Sequence, residues 1–277
     1  MNLLDLSDAD FRRFSALVYE KCGICLHEGK KELVRARLGK RLRATGLENF
    51  KDYYKFLTKQ DDGDELVQML DAISTNVTSF FREQKHFDFL KETVFPSYEA
   101  GRNGTRPRRL RFWSAGCSTG EEPYSLAMWF QEYFGHKSGF DMRILATDIS
   151  ANVLARAQQG VYPAGRLKGV PQMLIRKYFQ RGYGKQEGYF RVKESVRQFV
   201  DFRRFNLMEP FTFKDRFDLI LCRNVMIYFD KGTQEMLVNK FHDCLENGGH
   251  LLIGGSESLT GSDHPFKYIR PSTYQKQ

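Results

Sequence analysis

The chain has 277 residues, of which 41% are hydrophobic and 28% are charged, and its formal net charge is +9. This composition is typical of a globular protein with one or two domains, and it excludes a disordered or collagen-like chain. No stretch reaches the roughly 20 apolar residues that cross a bilayer, and the start lacks a signal-peptide pattern, so we expect a cytoplasmic protein without membrane insertion.

Residues 1–75 are predicted to form a small all-helical domain that faces a partner. Ser7 is well placed to cap the first helix, and apolar residues then recur at helical spacing. A dense basic run at residues 30–43 either contacts an acidic partner or forms a solvated helix surface. The candidate partner-binding residues in this run are Arg35, Arg37 and Arg41.

The same region contains a Cys-x-x-Cys sequence, Cys22-Gly23-Ile24-Cys25. The chain has five cysteines, an odd number that argues against a framework of disulfides. A zinc site would need a second pair of ligands, and a redox site would need a preceding strand. We therefore predict neither a metal ion nor a redox centre.

Residues 76–109 are predicted to be an interdomain segment whose last part, 97–109, is a polar linker. From residue 110 to 277, strands alternate with helices, which predicts a doubly wound, mostly parallel α/β sheet. One segment breaks this order: residues 178–192 form two extended pieces around glycines and predict a small antiparallel hairpin insertion at about 165–198. The predicted strands of the main sheet are 110–114, 142–147, 200–205, 217–222, 250–253 and 268–269.

The first predicted strand of the sheet ends in a glycine turn before a helix that begins at Glu121. Gly116 and Gly120 would bring bare backbone close to a ligand at the carboxyl end of that strand. Their spacing differs from the Gly-x-Gly-x-x-Gly of dinucleotide folds, and the pair Glu121-Glu122 disfavours a pyrophosphate. The positive sulfonium and ammonium groups of S-adenosylmethionine fit this turn better.

Two further strands end in polar residues at the same edge of the sheet. Asp148 ends the second strand, where its carboxylate could accept hydrogen bonds from ribose hydroxyls or could cap the next helix. Arg223, Asn224 and Tyr228 follow the strand 217–222 and would face the same crevice. The three strand ends together predict a site for an adenosine-containing ligand.

Three segments, 76–83, 114–125 and 222–230, together resemble the chemotaxis receptor methyltransferases of the CheR family. The resemblance implies the fold of a class I S-adenosylmethionine-dependent methyltransferase. It implies S-adenosylmethionine as cofactor, S-adenosylhomocysteine as product, and glutamates on chemoreceptor cytoplasmic domains as methyl acceptors. The expected product is a glutamate methyl ester, and we expect a monomer.

The resemblance also implies residue roles, with Arg82 and Tyr228 beside the transferred methyl group. Arg82 keeps its proton, so we expect it to hold a carboxylate. A glutamate is already anionic at neutral pH, so no general base is required. The expected cofactor-binding residues, which include the two glycines of the turn, are Asn76, Thr78, Arg82, Gly116, Gly120, Glu122, Asp148, Asn206, Leu207, Arg223 and Asn224.

The predicted hairpin has the spacing Gly182-x-Gly184-x3-Gly188. In relatives with such a hairpin, the C-terminal peptide of a receptor adds to it as an extra strand, so the resemblance implies an enzyme tethered to its substrate. These three glycines are therefore candidate partner-binding residues. The alternative is an exposed hairpin without a partner.

Two other functions compete with receptor methylation. The basic charge is compatible with a nucleic-acid methyltransferase, but amino-methylating enzymes of that kind carry Asn/Asp-Pro-Pro-Tyr/Phe where this chain has Arg223-Asn224-Val225-Met226. We therefore expect no nucleic-acid partner. The second competitor is a non-catalytic adaptor that binds S-adenosylmethionine, and the presence of both Arg82 and Tyr228 argues against it.

Overall fold

The computed structural model describes residues 5–100, 109–135 and 141–277. The chain begins with a bundle of four helices whose apolar faces enclose a core around the buried rings of Phe14 and Tyr53. As predicted, Ser7 caps the first helix, since its side chain accepts a hydrogen bond from the backbone N–H of Asp10. The helices are α1 (Asp8–Cys22), α2 (Lys31–Thr45), α3 (Phe50–Lys59) and α4 (Asp64–Ile73).

An extended segment, 74–79, leaves this bundle and leads to α5 (Gln84–Phe89), a π-helical turn (Leu90–Val94) and α6 (Phe95–Glu99). The predicted linker at 97–109 is wrong for residues 97–99, which belong to α6, and residues 101–108 lie outside the described ranges. Phe95 explains this difference, because it is fully buried among three aromatic rings of the next helix. Such packing outweighs a polar local sequence.

The remaining chain forms a seven-stranded sheet in the order β6-β2-β1-β7-β8-β10-β9. Its first five strands are all parallel, and β10 pairs antiparallel with both neighbours. The elements, in chain order, are β1 (Arg109–Ala115), α7 (Glu121–Phe134), β2 (Asp141–Asp148), α8 (Ala151–Gln159), β3 (Val161–Pro163), α9 (Gln172–Tyr178), β4 (Phe179–Arg181), β5 (Tyr189–Val192), α10 (Glu194–Arg197), β6 (Val200–Arg204), β7 (Phe217–Cys222), α11 (Lys231–Cys244), β8 (Leu245–Ile253), β9 (Phe266–Arg270) and β10 (Thr273–Lys276).

Both faces of this sheet are covered, as a doubly wound fold requires. Phe112 points into a core shared with α5, α6 and α7, whereas the next residue, Trp113, points to the opposite face and packs near α11. The Trp113 indole donates a hydrogen bond to Thr147 Oγ1 at 2.9 Å and lies among five phenylalanine rings. Because β1 pairs parallel with both β2 and β7, the carboxyl ends of these three strands meet at one edge of the sheet.

The predicted hairpin at 178–192 is present as β4 and β5, which pair antiparallel. A third strand, β3, completes a small sheet in the order β3-β5-β4, and it lies before residue 165, where the insertion was expected to begin. The strand predicted at 250–253 begins earlier, at Leu245, and β10 was not predicted. Within the described ranges, none of the helices is both long and apolar enough to span a membrane.

Candidate active site

A cavity opens at the carboxyl ends of β1, β2 and β7, and the segment 73–79 and the turn after α1 close its other side. Ten of the eleven predicted cofactor-binding residues line it, as does Tyr228. The predicted residues in the wall are Asn76, Thr78, Arg82, Gly116, Glu122, Asp148, Asn206, Leu207, Arg223, Asn224 and Tyr228. The structure thus brings together side chains that are up to about 150 residues apart in sequence.

The two glycines of the first turn have different surroundings. Gly116 lines the cavity with a φ of 87°, and a Cβ on it would collide with the side chain of Val225. Gly120, with a φ of 92°, does not line the cavity, because it faces α8, where an added Cβ would lie 2.9 Å from Ala157 Cβ. Gly120 therefore allows α8 to pack closely, and its expected role in cofactor binding stays a prediction.

Asp148 lies at the end of β2 with 8% of its surface exposed. Its carboxylate accepts hydrogen bonds from the backbone N–H groups of Ser118 at 2.8 Å and Ser150 at 3.0 Å. Burial raises the pKa of this carboxyl, although the two N–H groups oppose that effect. Ser150 caps α8 through its own side chain, so Asp148 is not needed for that purpose and faces the cavity.

Arg223 forms the centre of a buried ionic network, and only 2% of its side chain is exposed. Its Nη1 lies 3.0 Å from Glu122 Oε2, and its Nη2 lies 3.2 Å from Glu83 Oε2. The same guanidinium donates to the backbone oxygen of Arg82, and Glu122 also accepts a hydrogen bond from Ser114 Oγ at 2.6 Å. Arg223 therefore fixes the position of Glu122 and of the backbone at Arg82.

His86 adjoins this network, with Nδ1 3.3 Å from Glu83 Oε2. Burial, with a smaller contribution from the charge of Arg223, lowers the pKa of His86 to about 4, so it is neutral at pH 7. Arg223 is then the only cation that pairs with Glu83 and Glu122 in the part of the chain described. The sequence motif included Glu83, but no role was predicted for it.

Arg82 and Tyr228, the two predicted catalytic residues, both line the cavity. The Arg82 Nη1 donates to the backbone oxygen of Val77 at 2.9 Å, which turns the guanidinium along the segment 74–79. Tyr228 ends a 3-10 turn, and its backbone oxygen accepts a hydrogen bond from Cys25 N–H at 2.8 Å. The helical domain is therefore bonded directly to the loop that carries Tyr228.

Glu257, which does not line the cavity, supports the loop that carries Asn224 and Tyr228, and the sequence analysis gave it no role. Glu257 has 9% of its surface exposed. Its carboxylate accepts three backbone hydrogen bonds, from Asn224 at 2.9 Å, Ile227 at 3.1 Å and Gly254 at 2.5 Å. It thereby fixes the loop between Asn224, whose φ is 59°, and Tyr228. Its position just after β8, at the carboxyl edge of the sheet, was the available signal.

The turn after α1 forms part of the cavity wall, including Cys22 and Cys25. Asn206 donates a hydrogen bond from Nδ2 to the Lys21 backbone oxygen at 2.6 Å, which fastens this turn to the sheet domain. Both cysteines are free thiols, and burial raises the pKa of Cys22 to about 11. Within residues 5–100, 109–135 and 141–277, no three His, Cys, Asp or Glu side chains are grouped as a metal site.

The three arginines predicted to bind a partner use their guanidinium groups inside the helical domain. Arg41 forms a two-pronged pair with Glu65, at 2.9 and 2.6 Å. Arg37 donates to the backbone oxygens of Ile73 and Ser74, at the end of α4, and Arg35 pairs with Glu32. These contacts hold the three guanidinium groups against the helical domain, and a partner-binding role for the three arginines stays a prediction.

The hairpin glycines are explained by backbone geometry. Gly184 and Gly188 have φ values of 57° and 83°, where other residues are disfavoured, and a Cβ on Gly182 would collide with the Gln186 backbone. The spacing of these glycines thus follows from the turn between β4 and β5 and does not by itself require a bound peptide.

The cavity suits a nucleoside that carries positive charge. The buried carboxylate of Asp148 pairs with no cation among the described residues, and apolar groups of Ile149, Phe205 and Leu207 line the adjoining wall. The Oγ of Ser118, which also lines the cavity, is buried without a hydrogen-bond partner there. Hydroxyl-bearing and apolar parts of an adenosine ligand would match these groups.

Comparison with known proteins agrees with this geometry. The all-alpha domain of CheR methyltransferases matches residues 9–74, and their SAM-binding domain matches residues 76–275. The chain is 43% identical to a chemotaxis protein methyltransferase of Borreliella burgdorferi, over 99% of this chain and 96% of that protein. It is 39% identical to that of Escherichia coli, over 98% and 92% of the two chains. It is 40% identical to chemotaxis protein methyltransferase 2 of Pseudomonas aeruginosa, over 96% and 92%.

These matches cover nearly the whole chain, and they confirm the predicted class I methyltransferase fold and S-adenosylmethionine as the cofactor. The chain belongs to the CheR family of methyltransferases.

Proposed function

We propose that this protein transfers the methyl group of S-adenosylmethionine to glutamate carboxylates of chemoreceptor cytoplasmic domains, forming methyl esters. The observation that carries this function is the convergence of Arg82, Asp148 and Tyr228 on one cavity in a chain closely similar to chemotaxis protein methyltransferases. It follows that the protein acts in the cytoplasm, where these receptor domains lie, and we propose that it acts as a monomer.

The residues of the cavity divide this task between them. Asp148 holds the ribose end of the cofactor, while Phe205 and Leu207 cover the base and exclude water from it. When bound, S-adenosylmethionine supplies an electrophilic methyl group. Arg82 holds the incoming carboxylate through its guanidinium, and the Tyr228 hydroxyl orients it. No side chain has to remove a proton, because the acceptor is already anionic at neutral pH.

Substitution of these two residues tests the assignment. We expect Arg82→Ala to lower the rate of receptor methylation roughly 100-fold, since an ionic anchor is lost, and Tyr228→Phe to lower it roughly tenfold. The measurement uses labelled S-adenosylmethionine and receptor-bearing membranes, with methanol released by alkali as the readout for esters. Arg12→Ala and Tyr268→Phe, both on exposed side chains, serve as controls.

The same assay separates the competing functions. Normal turnover by both variants, with unchanged melting temperatures, would remove Arg82 and Tyr228 from the site. Label that resists alkali would indicate N-methylation, as a nucleic-acid methyltransferase produces, and absence of any label with the wild-type protein would indicate an adaptor.

For the receptor contact, we propose that a receptor's C-terminal peptide adds to β4 as a fourth strand of the small sheet. β4 is an edge strand, and Tyr183, beside it, is 80% exposed. Residues 161–204, which include this sheet, contain eleven basic and three acidic residues, so nearly all of the net charge of +9 lies there. An acidic peptide that ends in a carboxylate would complement this surface.

The pairing of β4 allows a sharp test of this contact. The Tyr178 backbone oxygen accepts from the Lys193 N–H, just after β5, and the Gly182 N–H donates to the Tyr189 oxygen in β5. Hydrogen bonds to the neighbouring strand recur at every second residue of an antiparallel pair, so the N–H of Arg181 faces away from β5. We expect Arg181→Pro to weaken peptide binding at least tenfold, because proline has no N–H, whereas Arg181→Ala should retain most of the affinity. Fluorescence anisotropy of a labelled receptor tail measures both. Equal affinities for the two variants would contradict strand addition.

A further inference from the structure

The loop between β1 and α7 alternates between ordinary and left-handed backbone conformations. Gly116, Ser118 and Gly120 have φ values of 87°, 49° and 92°. Glycine adopts such values without a steric penalty, whereas a residue with a Cβ does so at a cost. Two of the three positions are glycine, and the third retains a side chain in a strained conformation. Strain of this kind is found mostly at functional sites.

The residue with a side chain in this strained loop is Ser118, and its side chain carries one hydroxyl group. Ser118 is 7% exposed and lines the cofactor cavity. Its Oγ has no hydrogen-bond partner in the described part of the chain. A buried hydroxyl without a partner is unfavourable, so a group that enters the cavity and pairs with it gains affinity.

The backbone of Ser118 indicates which part of the cofactor lies nearby. Its N–H donates to Asp148 Oδ2 at 2.8 Å, so the serine and the carboxylate are fixed next to each other. An ionised carboxylate only accepts hydrogen bonds, whereas a serine hydroxyl both donates and accepts. A ribose has two adjacent hydroxyl groups, each able to donate to one partner and accept from another.

We propose that Ser118 is a cofactor-binding residue whose hydroxyl forms a hydrogen bond with a ribose hydroxyl of S-adenosylmethionine, beside Asp148. This inference depends on the cavity being the cofactor site and not on the identity of the methyl acceptor. It accounts together for the strained backbone, the unpartnered Oγ and the bond to Asp148.

Two substitutions separate binding from backbone strain. Ser118→Ala removes the hydroxyl and retains the strain, whereas Ser118→Gly removes both. We expect each variant to raise the Kd for S-adenosylhomocysteine, measured by calorimetry, about fivefold. The melting temperature of the glycine variant should equal or exceed that of the wild type. Ser195→Ala, on an exposed side chain far along the chain, is the control.

A residue with a purely structural role would give a different result, since Ser118→Gly would then bind the product as tightly as the wild-type protein. Such an outcome would overturn the proposal. Because the readout is product binding, a failure of Ser118 is distinguishable from a failure of the methyl-transfer function, which is measured on receptors.

Deoxyribose analogues test the assignment to the ribose. If Ser118 contacts a ribose hydroxyl, the 2′-deoxy or the 3′-deoxy analogue of S-adenosylhomocysteine should lose less affinity in Ser118→Ala than in the wild type. That coupling would support the proposal. Equal losses in both proteins for both analogues would show that the hydroxyl binds elsewhere, and the ribose assignment would be wrong.

Discussion

Substitution of Arg223 by leucine should lower the free energy of unfolding by roughly 3 kcal/mol, because it leaves the half-buried carboxylates of Glu83 and Glu122 without a counter-charge. The neutral His86 cannot compensate at pH 7. The same change should weaken the binding of S-adenosylhomocysteine, since Arg223 positions Glu122 and the backbone of Arg82. Urea unfolding and calorimetry measure the two effects.

Arg41 provides a matched control, because it forms a similar two-pronged pair with Glu65 in a more exposed place, with 24% of its side chain accessible. We expect Arg41→Leu to cost distinctly less stability than Arg223→Leu. Adding Glu122→Gln to Arg223→Leu should recover part of the loss, because one unpaired charge is removed. If Arg223→Leu lowered the free energy of unfolding no more than Arg41→Leu does, burial of the Arg223 ion pairs would not be what makes them important for stability.

Glu257→Gln is expected to lower the rate of receptor methylation between about tenfold and 100-fold. The carboxylate accepts from Asn224, Ile227 and Gly254, and an amide group in its place turns an NH2 towards at least one of these N–H donors. A hydrogen bond to a charged group contributes roughly 1.5–3 kcal/mol, and about 1.4 kcal/mol corresponds to a factor of ten in rate. Steady-state kinetics at saturating cofactor measures the change.

The expected loss for Glu257→Gln lies mainly in kcat, because the loop displaced by the substitution carries Tyr228. Glu209→Gln, on an exposed side chain, is the control. A variant that methylates receptors at the wild-type rate and melts at the wild-type temperature would show that the carboxylate is not needed to hold the loop.

Much of the fold could be predicted because hydrophobic periodicity reports burial directly. The strands 217–222 and 142–147 agree with β7 and β2 within one residue at each end, and their carboxyl ends mark the cavity. The helix at residues 97–99 could not be predicted, because its stability comes from the burial of Phe95 against a helix that lies further along the chain. Local sequence does not report such contacts.

The residues of the site, like the elements of the fold, could be predicted from the sequence only in part. Polar residues at strand ends, such as Asp148 and Arg223, could be found from topology alone. The acceptor role of Glu257 could not, because it depends on backbone N–H groups about 30 residues earlier in the chain. The contacts of the basic run could not be predicted for a related reason: spacing identifies Arg41 as a helical surface residue but cannot reveal that it pairs with Glu65 on another helix.

The hydrogen bond from the Cys25 N–H to the Tyr228 backbone oxygen limits how the two parts of the chain can change independently in evolution. The turn from Lys21 to Cys25 belongs to the helical part of the chain and not to the sheet, yet it forms part of the cavity wall and holds the backbone of Tyr228. The two units therefore cannot be exchanged freely between homologues. A chimaera that joins the helices of one relative to the sheet of another must preserve the turn from Lys21 to Cys25 together with its acceptors in the sheet unit.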